Sequence, residues 1–96
     1  MIKHIVMIKF KPETSEEQIA DIEKGLARLP GIIPEIKEYD LGRDVLHTDR
    51  SFDFALVGLY DDLAALKRYS DHPDHQAIAK VIRASAEKVV AVDFEC

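Results

Sequence analysis

The sequence predicts an α+β domain of the ferredoxin-like type, a split β-α-β arrangement with the element order β-α-β-β-α-β. Two observations carry this prediction. Segments with the composition of strands and segments with helical periodicity follow one another in that order, and Pro or Gly residues separate several of them. The four strands are expected to form one antiparallel sheet with the helices on one face. With 96 residues, the chain makes a single domain, residues 1–96.

The first strand and the first helix have clear signals. Lys3 to Phe10 is rich in Ile, Val and Phe and contains no turn residue, as expected for a strand. The next segment carries two overlapping capping-box patterns, Ser15 with Gln18 and Thr14 with Glu17. Apolar residues then recur on one helical face, at Ile19, Ile22, Leu26 and Leu29. The helix is predicted to end at the LPG segment.

The middle of the chain predicts two further strands. Residues 32–45, IIPEIKEYDLGRDV, are expected to be extended, and Pro34 favours an edge strand or a bulge. The LHTDRS segment is a loop by composition. Residues 52–60, FDFALVGLY, have the strongest strand signal in the chain.

The last third predicts a split helical region and a closing strand. DDLAALKRYS forms a short helix, with Asp61 or Asp62 as its cap. Pro73 suits the first turn of a further helix, which runs to about Ser85. The KVVAVDFE segment closes the chain as a strand.

Both faces of the first and third strands are apolar, which predicts a partner. One side carries His4, Val6, Ile8 and Phe10 from the first strand with Phe54, Leu56 and Gly58 from the third. The other side carries Ile5, Met7, Ala55, Val57 and Leu59. Because the helices cover only one face, the second apolar face should pack against another molecule. A second copy of the chain is the simplest partner, so we expect a homodimer.

Composition and charge exclude several classes of function. The net charge is −5 and the basic residues are spread along the chain, which argues against nucleic acid as a partner. The N-terminal apolar segment is too short and too interrupted for a signal peptide or a membrane span. The single cysteine, Cys96, cannot form an internal disulfide, and we expect a cytoplasmic location. DLGRDV lacks a phosphate-loop or dinucleotide pattern, and no cofactor is predicted.

The segment RYSDHPDHQAIAK, residues 68–80, concentrates the side chains that could do chemistry. His75 lies on an apolar helical stripe, since Ile78, Ala79 and Ile82 follow it at spacings of three, four and seven. It should therefore face the sheet, either as a core histidine or as a base. Tyr69 ends the preceding helix, so both rings could reach one pocket, where the imidazole accepts a proton and the phenol donates to an oxyanion. Alternatively, Tyr69 packs its ring and bonds a backbone carbonyl.

The same segment contains metal-ligand types without predicting a metal site. His72 is expected at a helix cap beside Pro73, facing solvent, whereas His75 faces inward. Asp71 and Asp74 are expected to be helix-start residues. A transition-metal site needs three or four converging ligands, so none is predicted here.

The chain resembles the stress-responsive α/β-barrel domain family, also called the dimeric α/β-barrel domain. The segments that carry the resemblance are IKHIVMIKFK, LPGIIPEIKEYDLGRDV, YSDHPDHQAI and VVAVDFE, which together cover almost the whole chain. The resemblance implies a homodimer in which two sheets close into a barrel. A plant polyketide cyclase of this family uses the equivalents of Tyr69 and His75 as a catalytic pair.

The resemblance also implies a ligand pocket. It places His4 on the helix-facing side of the sheet, where it joins Tyr69 and His75. Gly58 on that side would leave room for a ligand, or marks a bulge. Leu26 and Phe54 stand where the plant cyclase has a tyrosine and a histidine, so the cavity should be smaller or more apolar.

Three functions are compatible with this pocket. The first is acid/base chemistry of a cyclase or lyase type on a small carbonyl compound. The second is a non-catalytic, stress-related dimer that binds a small apolar ligand. The third is a cofactor-free monooxygenase, which shares the dimeric fold.

Overall fold

The computed structural model describes all 96 residues and has the predicted order of elements. The elements are β1 (Ile2–Phe10), α1 (Glu16–Arg28), β2 (Glu38–Arg43), β3 (Phe54–Tyr60), α2 (Leu63–Asp71), α3 (Pro73–Ser85) and β4 (Ala86–Glu95). A short 3-10 turn, Leu29–Gly31, follows α1. None of the helices is both long enough and apolar enough to cross a membrane.

The four strands form one antiparallel sheet in the order β2-β3-β1-β4. This order confirms the ferredoxin-like prediction, with β2 and β4 at the two edges. The hydrophobic core lies between one sheet face and the helices. Its fully buried members include Ile8, Ile22, Leu26, Phe54 and Tyr69.

The first helix begins as one of the two capping patterns predicted. The Ser15 hydroxyl accepts a hydrogen bond from the Gln18 N–H at 3.1 Å, and the Gln18 side chain accepts one from the Ser15 N–H at 2.7 Å. Two N–H groups that lack partners inside the helix are thereby satisfied. Ile22 and Leu26 then bury the apolar face of α1 against the core.

Residues 32–45 are only partly extended, which corrects the sequence prediction. The Leu29 carbonyl accepts hydrogen bonds from the N–H groups of Ile32 and Ile33, so the chain continues in tight turns after α1. Ile33 is fully buried and anchors this turn. Pro34 lies in the turn, before β2 begins at Glu38, so β2 is an edge strand without containing a proline.

A sharp break separates α2 from α3. The Asp62 carboxylate caps α2 by accepting from the Ala65 N–H at 2.8 Å. His72 ends α2 and also caps α3, because its Nδ1 accepts from the Asp74 N–H at 3.1 Å. Its extended backbone and the following Pro73 redirect the chain, as expected for a residue that precedes a proline.

The sheet face turned away from the helices is apolar and open. We call it the outer sheet face, formed by Ile5, Met7, Ala55, Val57, Leu59, Val90, Val92 and Phe94. The strand β4 extends the apolar set predicted from β1 and β3. Met7 is 42% exposed, Val92 58% and Phe94 43%. An apolar surface of this kind is typical of a protein interface.

Candidate functional site

A cavity of about 320 Å³ lies between the helices and the sheet near the β4 edge. Eight of its 12 lining residues are hydrophobic, so it suits a small and mostly apolar ligand. Four of the predicted site residues line it, and they come from three helices and one strand: Tyr69, His75, His4 and Leu26.

His75 is oriented by its own backbone surroundings. Its Nδ1 lies 2.9 Å from the Ser70 carbonyl oxygen. Because a carbonyl can only accept, Nδ1 carries a hydrogen and donates it. Nε2 has no hydrogen-bond partner in the protein and is not sealed from solvent. In the neutral ring, Nε2 is therefore a lone-pair acceptor at a cavity wall.

The surroundings of His75 favour its neutral form. Burial lowers the pKa of His75 below its usual value of 6.5, and this effect outweighs the hydrogen bond to Ser70, which raises it. Positive charge on His4 and Arg83 lowers the pKa further. At neutral pH the ring is thus in the form that can accept a proton.

Tyr69 forms the inner wall of the cavity. Its ring centroid lies 4.4 Å from that of His75, and its side chain is 0% exposed. Its hydroxyl lies 2.7 Å from the hydroxyl of Tyr39, a residue of β2. Burial raises the pKa of both phenols, so both keep their protons and remain hydrogen-bond donors.

Gly58 has a different role from the one predicted. A Cβ at this position would come within 2.7 Å of the Tyr60 hydroxyl and 2.8 Å of its Cε1. The Tyr60 ring folds back over Gly58 and fills the space that was predicted for a ligand. Gly58 does not line the cavity, and the strand pairing is regular there, without a bulge.

Tyr60 itself is an unusual core residue. It is 0% exposed, and its hydroxyl has no hydrogen-bond partner. Its ring centroid lies 4.9 Å from that of Tyr69, and burial followed by the proximity of Tyr69 raises its pKa. A buried hydroxyl without a partner is costly to the folded state.

Phe54 also lies outside the cavity, which corrects the prediction that it forms a wall. It is 2% exposed and packs within the core, where β3 pairs with the end of β2. The apolar wall is instead supplied by Leu26 with Leu56, Val6 and Ile8. These side chains keep that wall apolar.

His4 joins the cavity with a partner that the sequence did not reveal. Directly opposite it in the sheet is Asp93 of β4, whose carboxylate is hydrogen-bonded to His4 Nδ1. The His4 side chain is 16% exposed, and its ring centroid lies 6.2 Å from that of Tyr69. The chain thus brings two histidines and a tyrosine to one cavity.

His72 is separate from this group. Its ring caps α3 and is absent from the cavity wall, so the two histidines of the DHPDH segment have different surroundings. No group of three or more His, Cys, Asp or Glu side chains converges in a way that could hold a metal ion. That no metal is required stays a prediction.

Sequence reasoning missed four polar residues of the site. Tyr39 and Tyr60 supply the hydroxyls around Tyr69, Asp93 bonds His4, and Arg83 lines the cavity near His75. The available signal was weak: Asp93 interrupts an apolar strand, and Arg83 lies eight positions after His75 on the same helix. Their convergence depends on strand register and helix packing.

The comparisons with known proteins agree with this fold. The family model described as "Stress responsive A/B Barrel Domain" matches residues 2–96. A dimeric ferredoxin-like protein of unknown function from Thermobifida fusca is 33% identical, with a TM-score of 0.91 over 99% of this chain and 90% of that chain.

Two further relatives have names that state an activity. Olivetolic acid cyclase of Cannabis sativa is 27% identical over 95 residues, which cover 97% of this chain and 94% of the cyclase. The hydroxynitrile lyase of Passiflora edulis is 28% identical, with a TM-score of 0.87 over 97% of this chain and 90% of the lyase.

Proposed function

Because the chain belongs to the stress-responsive A/B barrel domain family, we propose that it is a homodimeric acid/base catalyst for a small, mostly apolar carbonyl compound. The observation that carries the proposal is the state of His75. Its Nδ1–H is held by the Ser70 carbonyl, while Nε2 is free beside Tyr69 at an apolar cavity. A histidine that only filled the core would be expected to bury or pair both nitrogens.

In the proposed reaction His75 Nε2 removes a proton from the carbon next to the carbonyl group. The electron pair of the broken C–H bond forms a carbon–carbon double bond, and the carbonyl π electrons move onto oxygen. Tyr69 donates a hydrogen bond to that oxygen and receives one from Tyr39, whose hydroxyl is 2.7 Å away. The same base would serve a lyase-type reaction by removing a hydroxyl proton: the O–H electron pair forms the new carbonyl π bond, and the adjacent carbon–carbon bond breaks with its electron pair on the departing carbanion.

The proposed reaction requires the ligand to reach the Tyr69 hydroxyl. The Tyr69 side chain is fully covered. We therefore expect the cavity wall to shift on ligand binding, so that the hydroxyl is uncovered. A dry cavity strengthens the resulting hydrogen bond, because the local dielectric constant is lower than in water.

A non-catalytic ligand-binding protein is the second candidate. The complete burial of Tyr69 and the hydrophobic majority among the lining residues favour it. In that case the cavity binds a small apolar molecule, and His75 orders the helix junction through Ser70. The two candidates differ in whether a proton is transferred.

The self-association part of the proposal is supported by the outer sheet face. Met7, Val92 and Phe94 of this face are exposed in one copy, and the Thermobifida fusca neighbour is dimeric. Packing the outer faces of two copies together would remove this surface from water. A cytoplasmic location stays a prediction, consistent with a chain whose single cysteine is Cys96.

Exchange of carbon-bound hydrogen for deuterium tests the catalytic proposal without the natural substrate. Methyl hexyl ketone is incubated with the protein in deuterium oxide, and proton NMR follows the loss of signal next to the carbonyl. We expect the wild type to accelerate the exchange and His75→Gln to lower the accelerated rate by about 10²- to 10⁴-fold. His47→Asn is the matched control, since His47 is exposed in a loop and Asn tolerates its positive φ. Binding of the ketone without exchange would favour the second candidate.

A further inference from the structure

We infer that His4, held by Asp93, is a second proton-transfer group of this cavity and acts as the acid that complements His75. This inference rests on the proposed function and specifies its reaction class, the conversion of a carbonyl compound to its enol by an acid and a base acting together. The reaction would require one proton to be removed from carbon and another to be delivered to oxygen.

The first observation is the geometry of the His4–Asp93 pair. The two residues are directly opposite each other on β1 and β4, and the carboxylate is hydrogen-bonded to His4 Nδ1. This fixes Nδ1 as the bonded nitrogen. Nε2 has no partner in the protein, and the ring lines the same cavity as His75. The His4 side chain is 16% exposed and the Asp93 side chain 39% exposed, so the imidazole is the more shielded member of the pair.

The second observation is the difference between the groups that hold the two rings. His75 Nδ1 donates to the neutral carbonyl of Ser70, whereas His4 Nδ1 bonds a carboxylate. A carboxylate stabilises the doubly protonated imidazolium, and a carbonyl does so much less. The two rings therefore have surroundings suited to opposite roles, His4 as donor and His75 as acceptor.

The charges around His4 agree with this division. The groups that face it from the packed elements are Asp93 of β4, Tyr60 of β3, Tyr69 of α2, and His75 and Arg83 of α3. Asp93 is the one acid in this set. Positive charge on His4 disfavours a proton on His75, because like charges repel at short range. The cavity thus favours a free lone pair on His75 Nε2.

The step balances without any outside reagent. His75 Nε2 takes the proton from the carbon next to the carbonyl, and the C–H electron pair becomes the new carbon–carbon double bond. The carbonyl π electrons move to oxygen, which takes the Nε2 proton of the His4 imidazolium. The products are an enol, a protonated His75 and a neutral His4. Return of the proton from His75 to His4 through water restores the starting state.

Nitrogen-15 NMR of the histidine rings tests the role of Asp93 on the whole protein. Ring shifts distinguish the two neutral tautomers from the imidazolium. At neutral pH we expect both rings to carry a hydrogen on Nδ1, and the His4 Nδ1 shift to differ from that of His75 because its partner is a carboxylate and not a carbonyl. Asp93→Asn should remove that difference, and Asp93→Glu should restore it in part. Asp44→Asn, at the His47–Asp44 pair outside the cavity, is the matched control. Equal Nδ1 shifts for the two rings, or a His4 that does not respond to Asp93→Asn, overturns the inference.

The exchange assay with methyl hexyl ketone separates this inference from the proposed function. We expect His4→Gln to lower the accelerated rate by about 10²-fold, with the protein still folded by circular dichroism. If His75→Gln abolishes the acceleration and His4→Gln leaves it intact, the inference is wrong and the proposed function stands. If the wild type gives no acceleration, both are wrong.

Discussion

The rings of Tyr69 and His75 lie 4.4 Å apart although they belong to different helices. Six residues along one continuous helix would rotate the side chains by about 240°, onto different faces. The break at His72 and Pro73 cancels that rotation and returns both rings to the sheet side. The proline therefore determines the site by redirecting the chain.

Removing a hydroxyl from the cluster of Tyr39, Tyr60 and Tyr69 should change stability in opposite directions at two of its positions. Tyr60→Phe removes a buried hydroxyl without a partner, so the free energy of unfolding should stay the same or rise by up to about 1 kcal/mol. Tyr69→Phe leaves the Tyr39 hydroxyl without its partner and should lower it by about 1 to 3 kcal/mol. Urea denaturation of the two variants measures both. A larger loss for Tyr60→Phe than for Tyr69→Phe would contradict this description of the cluster.

Gly58→Ala is expected to destabilise the fold. The new methyl group would lie within 2.7 Å of the Tyr60 hydroxyl, so the fully buried ring would have to shift within the core. Overpacking of this kind costs about 1 to 3 kcal/mol. Gly31→Ala is the control, because nothing lies within 4 Å of the added carbon. Thermal unfolding compares the two variants. Equal unfolding midpoints would show that the Tyr60 ring can accommodate a methyl group at position 58.

The stability of the protein should depend on pH through His75. Its pKa is lowered in the folded chain, chiefly by burial, and returns to about 6.5 on unfolding. Between these two values the unfolded chain binds a proton that the folded chain does not. The free energy of unfolding should therefore fall as the pH drops through about 6.5, and this contribution levels off once the folded ring is also protonated. In His75→Gln the fall should be shallower, and equal slopes in urea denaturation would contradict the burial of a neutral ring.

A charge on the outer sheet face should prevent self-association. Met7→Lys places an ammonium group among Ala55, Val57 and Val90, where packing against a second copy would strip it of water. Light scattering is expected to show a dimer for the wild type and a monomer or unfolded chain for the variant. Leu63→Lys is the control, on an exposed position of α2. A monomeric wild type at micromolar concentration would contradict the proposed homodimer.

The fold could be predicted from local patterns because most of them agree with the final structure. Strand composition, the Ser15–Gln18 cap and the helix break at Pro73 all act over a few residues. The exception is residues 32–37, the first part of the segment predicted to be extended, which forms turns around the buried Ile33. There the burial of one side chain outweighed the preference of the segment.

The site was harder to predict because it depends on which side chains meet across elements. The inward direction of His75 follows from helical periodicity. The pairing of His4 with Asp93 depends on strand register, which the sequence does not state. The position of Tyr60 over Gly58 depends on a side-chain rotamer, so a glycine that appeared to leave space is in fact covered.

A paired measurement on His75→Gln, of deuterium exchange into methyl hexyl ketone and of unfolding free energy, tests the role of His75 most directly. If His75 is the base, the accelerated exchange rate should fall by about 10²- to 10⁴-fold while the unfolding free energy changes by less than about 1 kcal/mol. An unchanged exchange rate with a loss of about 1 to 3 kcal/mol in stability would contradict the account and show a structural histidine.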